Sequence, residues 1–357
     1  MTGPSRRSGG IGPGIRPCAA HAATHLEPTP PDATGPLSSA VIDHLACRRP
    51  RHVYVPVDAP VVDSDPHGRD LQLALAVCYE LHYRGFAGVE ARWEWDAGVL
   101  QLRGRLETAF LTAVRDDVGH IAAGTSAADV MAELSIESPD GDGLSYHLRN
   151  KGTWDHMREY FVHRSPYHLK EGDPHAWAIP RLSGTAKAAF VAVEFDEFGA
   201  GRSDRSHQML YADLMTAAGL DSSYLHYLDH VPAESLAAVN LMSLFGLHRD
   251  LRGAAVGHFA ATEITSSPGS RRLVDALRRL GAPEACVHFY LEHVEADAVH
   301  EQVVRSDVVG DLVAREPDLE ADVVFGMRAF DVVESRFADY VTARWAAGES
   351  SLRRELT

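Results

Sequence analysis

The stretch Val287–Arg305, VHFYLEHVEADAVHEQVVR, decides how the chain is read. Its apolar residues Phe289, Val303 and Val304, with the small pair Ala296 and Ala298, predict a helix that is buried over much of its surface. At about 100° of rotation per residue, steps of four and seven from His293 bring Asp297 and His300 back to nearly one azimuth. One face therefore carries imidazole, carboxylate and imidazole. Inward polar groups need partners, and such a row is satisfied by a metal ion or by a dense hydrogen-bond network. The charges of Glu292, Glu295 and Glu301 leave a third reading open, a solvated stripe.

The chain around this helix has 357 residues, enough to bury a substantial core in one large or two medium domains. Lys and Arg number 34 against 50 Asp and Glu, a formal charge of -16 that argues against nucleic acid or an anionic membrane as partner. A small molecule or another protein is expected instead. Twenty histidines favour metal chemistry without locating it. Cys18, Cys47, Cys78 and Cys286 are far apart and form neither a zinc knuckle nor a disulfide framework. No apolar run has the length of a membrane span and no secretory h-region opens the chain, so a cytoplasmic location is expected.

Residues 1–37 are rich in Gly, Pro, Ala and Arg and are expected to form a disordered tail. From Ser38 to Val62 the pattern is short, with Val53 to Val57 as an extended piece. Asp70 opens an amphipathic helix through LQLALAVCYELHYRGF, and a second runs from Asp96 to Val114. Trp93 and Trp95 are expected to cover the joint between them. Glu80 and His82 would point about 160° apart on a helix, one buried and one exposed. A third helix covers Ala127 to Leu134, and the loop Ser138–Leu144 closes an N-terminal helical extension, residues 38–144.

A second domain, residues 145–357, is again helical. Helices are expected over Thr153–His163, Pro180–Phe198, Ser203–Ala218, Ala233–Leu247, Leu251–Thr265, Arg271–Leu280, Pro283–Val304 and Leu319–Ala347. Joints are set at Pro232, Pro268-Gly269, Gly281-Ala282-Pro283 and Pro317. Alternating strands are absent, so the class is all-α, a bundle of seven or more helices.

Other helices must complete any site. The apolar run Ala186–Val193 ends in Glu194, Asp196 and Glu197, glycines at Gly199 and Gly201 break it, and His207 follows. A kink there would bring Glu197 and His207 together. Glu263 stands alone in a small apolar helix, and Glu171, Asp173 and His175 precede Ile179-Pro180. None of the histidines has a Glu three positions before it, which disfavours the ferritin-like pattern, and neither H-E-x-x-H nor G-x-S-x-G occurs.

His293-x3-Asp297-x2-His300, Glu263 and Glu197-x9-His207, in the setting YHLKEGDPHAWAIPRLSGTAKAAFVAVEFDEFG, SDRSHQMLYADLM and GHFAATEITSSPGSRRL, resemble the haem-oxygenase-like diiron oxidases and oxygenases. The likeness is to the bacterial group described as iron-containing redox enzymes and covers roughly Ser145 to Trp345. It implies a haem-oxygenase-like bundle with an N-terminal helical extension, holding two iron ions rather than haem. By this resemblance Glu197, His207, Glu263 and His300 match one iron site and His293 and Asp297 the second. Glu171 is the further carboxylate at the matching distance, with Asp173 or Glu159 as alternatives.

The function so implied is a dioxygen-dependent non-haem diiron oxidoreductase acting on a small molecule by N-oxygenation, desaturation or oxidative C–C cleavage. Phe190, Phe195, Phe259, Phe289 and Tyr290 are candidates to wall its pocket. No flavin motif or iron–sulfur spacing is visible, so an external electron donor is expected, and a homodimer through the N-terminal segment is the assembly considered. The alternative is a metal-free haem-oxygenase-like binding or adaptor protein. A thiaminase-like enzyme on the same fold would need a nucleophile, and neither Cys78 nor Cys286 has an activating context.

Overall fold

The structure, a computed structural model, describes residues 27–47, 57–137 and 141–356, with the side chains of residues 295–299 outside that description. The chain runs through α1 (Pro36–Ala46), α2 (Arg69–Glu80), α3 (Ala97–Val118), α4 (Ala127–Leu134), α5 (Leu144–Lys151), α6 (Trp154–His168), α7 (Asp173–Ala176), α8 (Gly184–Glu197), α9 (His207–Ala217), α10 (Ala233–Leu247), α11 (Arg252–Leu280), α12 (Glu284–Val303), α13 (Asp311–Arg315) and α14 (Glu320–Ala346). No strand occurs among the described residues, and no helix there is long and apolar enough to cross a membrane.

Local chemistry sets the helix starts. Asp96 accepts from the amides of Gly98 and Val99 and so caps α3; Ser126 caps α4 and Thr153 caps α6 in the same manner. The mostly apolar α10 is buried from Ser235 to Gly246 and serves as the central rod. Helix α2 packs on it from one side, and α7, α11 and α14 lie against it elsewhere.

The long helix α11 packs mainly on α12 and α14. A methyl group at Gly257 would collide with the carbonyl of Val323, and one at Gly326 with the carbonyl of Ala254, so the α11 and α14 backbones touch at this crossing.

Several expectations need correction. Helix α11 runs unbroken through Pro268 and Gly269; the proline forfeits one ladder bond, and packing on both sides outweighs that local cost. For the same reason α6 continues through Pro166 to His168. Helix α1 lies where only a short pattern was expected, and α5 follows the expected loop in a stretch given no helix of its own; in α1 the buried Leu37, Val41 and Leu45 repeat every four residues. Glu80 and His82 are both buried, because α2 ends at Glu80 and the following turn redirects His82 inward. Trp93 covers the joint as expected, whereas Trp95 is exposed.

The expected tail falls mostly outside the described residues, but its end is packed: Leu37 is buried and the Pro28 carbonyl accepts from the Ala87 amide at 2.9 Å. Of the extended piece at 53–57, only Val57 lies within the described residues.

Candidate metal centre

Five segments meet at one place in the bundle. Glu171 lies in the turn between α6 and α7, Glu197 is the last residue of α8, His207 the first of α9, Glu263 sits within α11, and His293 and His300 are on α12. Between α8 and α9 the chain reverses over Gly199–Gly201, with Ala200 in the left-handed region at φ 52°. The kink anticipated from the glycines therefore forms, and His207 Nδ1 comes to 2.7 Å from Glu197 Oε2.

The side chains gather into two buried triads. Glu171, His207 and His293 offer three ligand atoms within 4.8 Å of one another, and Glu197, Glu263 and His300 do the same. The resemblance had grouped His207 with Glu197, Glu263 and His300; the geometry places it with Glu171 and His293, while Glu197 joins the two triads. Asp297 lies outside the residues whose side chains are described. The alternatives to Glu171 go elsewhere: the Glu159 carboxylate accepts from Trp345 Nε1 and the Ser351 amide, and Asp173 accepts from Gln208. His175 lies beside His258, 3.3 Å away, outside both triads.

Hydrogen bonding fixes the imidazoles. His293 Nδ1 donates to the Phe289 carbonyl at 2.8 Å, so in the neutral ring Nε2 carries the lone pair, 3.4 Å from Glu171 Oε1. Such a facing pair is reconciled by a proton on Nε2 or by a cation between the two groups, and a histidine whose second nitrogen donates to a carbonyl is the usual form of a metal ligand. His207 Nδ1 and Glu197 Oε2 are in contact without the alignment of a hydrogen bond, again the disposition of two donors converging on a third body. His300 faces Glu263 Oε2 through Nδ1 at 3.2 Å and Asp196 Oδ2 through Nε2 at 3.1 Å.

The electrostatics are carboxylate-rich. Burial raises the pKa of Glu171, but His168, 2.9 Å away, and His293 outweigh it and hold the acid well below its ordinary range. Burial lowers that of His207, and the Glu197 carboxylate more than reverses this, for a net rise. Glu194, one turn before Glu197, is 2% exposed and neither of its oxygens has a hydrogen-bond partner. Burial, then Glu197 and Glu263, push its pKa well above the ordinary value. A buried set of carboxylate oxygens and imidazole nitrogens is the donor chemistry of iron, so the residues fit such a group.

Sequence reasoning missed His168, although its spacing of three from Glu171 on the last turn of α6 was a signal. It named Glu194 at the end of the apolar run of α8 but gave it no role, whereas the buried face of α8 continues through Glu194 to Glu197. Of the residues proposed as pocket walls, Phe190, Phe259, Phe289 and Tyr290 are buried, with the Phe190 and Phe259 rings tilted against each other at 4.2 Å, while Phe195 is half exposed.

Residues 158–334 match the family described as iron-containing redox enzyme. A nitrosourea synthase from Streptomyces achromogenes subsp. streptozoticus is 25% identical over 177 residues, which cover 49% of this chain and 38% of that relative. The matched stretch contains every member of both triads. Through it residues 158–334 belong to the iron-containing redox enzyme family, and the chain as described is an all-α, haem-oxygenase-like bundle.

Proposed function

We propose that this protein is a dioxygen-dependent non-haem diiron oxidase or oxygenase acting on a small molecule. Glu197, Glu263 and His300 hold one iron, and Glu171, His207 and His293 hold the other, with Asp297 assigned to the second by its position between the two histidines of α12. The observation that carries this reading is the pair of buried triads joined where His207 meets Glu197. Bound iron supplies one-electron chemistry with dioxygen that side chains lack.

The chain's own residues do the rest. His168 orients Glu171 through its Nδ1, and the Phe289 carbonyl orients His293. Asp196, half exposed, holds His300 from the solvent side. Phe190, Phe259 and Phe289 keep water from the interior face. Glu194, buried beside Glu197 and Glu263, has its carboxyl pKa raised by burial and by those two carboxylates and holds its proton there. The named relative makes a nitrosourea, which supports N-oxygenation as the first chemistry to try, with desaturation and oxidative C–C cleavage next. An external donor provides reducing equivalents.

The test is anaerobic addition of ferrous iron to the full chain, removal of unbound metal, and measurement of iron per chain, followed by dioxygen uptake and the visible spectrum. Two irons per chain and consumption of dioxygen at a rate set by that iron are expected. No retained iron would overturn the reading in favour of a metal-free binding protein.

A further inference from the structure

The end of α2 lies outside the matched segment, yet it grips the turn that carries Glu171. Glu80, 1% exposed, accepts from Lys170 Nζ at 3.2 Å, from the Tyr224 hydroxyl at 2.8 Å and from the Arg84 amide at 3.2 Å. Lys170, itself buried, sits 4.1 Å over the Tyr83 ring. An ammonium and a carboxylate so enclosed hold each other in one geometry, because losing either would leave a buried charge alone.

Arg84 completes the grip from the other side. Its Nη2 donates to the Leu169 carbonyl at 3.2 Å and to Gln208 Oε1 at 2.9 Å, and its guanidinium stacks 4.1 Å over Tyr224. Gln208 then donates through Nε2 to the Glu171 carbonyl at 3.0 Å and to Asp173 at 3.2 Å. The side chains of Glu80 and Arg84 thus fix residues 169–173, and Gln208 ties them to the residue next to His207. Two of the three ligand segments of one triad, the Glu171 turn and the start of α9, are held. Helix α2 makes no corresponding bond to Glu197, Glu263 or His300 among the described residues.

We propose that Glu80 and Arg84 are positioning residues for the Glu171–His207–His293 triad, so that the N-terminal extension sets the metal affinity of that triad separately from its neighbour. This rests on the metal-binding reading above and deepens it. The extension is then part of the site rather than an appendage: if it shifts, the Glu171 turn loosens while Glu197, Glu263 and His300 stay on their helices.

The test titrates cobalt(II), a redox-silent probe with a coordination-sensitive absorption spectrum, into the full-length wild type, Glu80→Gln, Arg84→Gln and His300→Ala. Wild type is expected to bind two ions. Each of the first two variants should keep one of them at wild-type affinity and bind the other roughly tenfold or more weakly. Arg84→Lys should recover part of the loss, and His300→Ala should lose the opposite ion. Arg84 is partly exposed, so its variant decides the matter should Glu80→Gln not fold. Unchanged affinity for both ions, or equal weakening of both, would overturn the proposal and leave the metal reading standing; a wild type that binds no cobalt would sink both.

Discussion

His207 and Glu197 belong to different triads, yet His207 Nδ1 lies 2.7 Å from Glu197 Oε2. The contact makes Glu197 the hinge of the whole arrangement, since its carboxylate reaches both groups. Glu197→Ala should therefore lower iron retention at both triads, whereas Glu263→Ala or His300→Ala should leave close to half of the wild-type iron. Iron per chain after anaerobic loading and desalting, with far-ultraviolet dichroism as a check on helicity, measures this. Equal losses in all three variants would falsify the assignment of Glu197 to the joint.

Glu194 provides a pH-dependent signature. The unfolded chain releases its proton near 4.5, while the folded state holds it to higher pH because of burial and the neighbouring carboxylates. Ionisation therefore opposes folding, and the penalty grows as pH rises above the unfolded value. Glu194→Gln should stabilise the metal-free protein by roughly 1–3 kcal/mol at pH 8 and hardly at all at pH 4. Denaturant midpoints at the two values decide it; a constant difference would show that the charge plays no part.

Three buried histidines predict the acid limit. Burial lowers His163, His175 and His258 to about 3. The unfolded chain takes up these protons near 6.5 and the native state does not. Their stabilisation is complete above that pH and lost progressively as pH falls from 6.5 towards 3, at up to about 1.4 kcal/mol per pH unit for each group. His163 bonds Ser235 at 2.9 Å and Ser351 at 2.8 Å, away from both triads. His163→Gln should make the slope of stability against pH visibly shallower between pH 6 and 4, and parallel curves would contradict the argument.

Gly172 offers a local test of the Glu171 turn. Its φ is 87°, and a β-carbon would approach the Phe198 ring at 2.9 Å. Gly172→Ala should cost about 1–3 kcal/mol in strain and overlap and weaken metal at the Glu171 triad only. Gly124→Ala, with a similar φ of 85° and open space around it, is the control for strain alone.

The helical class and most helices were legible, because apolar residues at helical spacing mark α3, α10 and α14 strongly. What was not legible depends on contacts distant in sequence. Pro268 reads as a break until the flanking helices are known, and α1 was hidden because it begins at Pro36, at the end of the Gly- and Pro-rich stretch. At the triads, the residue types and their spacing pointed to the elements that come together there, and the glycines announced the α8–α9 reversal. The grouping into triads was not readable, since it depends on how α9 and the Glu171 turn face α12. Nor was the grip of Glu80 and Arg84, which joins residues more than eighty positions apart.

The crossing of α11 and α14 at Gly257 and Gly326 brings main chain against main chain, and such a contact has no rotamers through which to adjust. Glu263, less than two turns along α11 from Gly257, is therefore placed by a main-chain contact, while Glu171 hangs on lysine, arginine and glutamine side chains that other residues can imitate or retune. The two halves of the centre should drift differently over evolutionary time: one anchored by the methyl groups two positions lack, the other open to recalibration from a segment the family match does not reach.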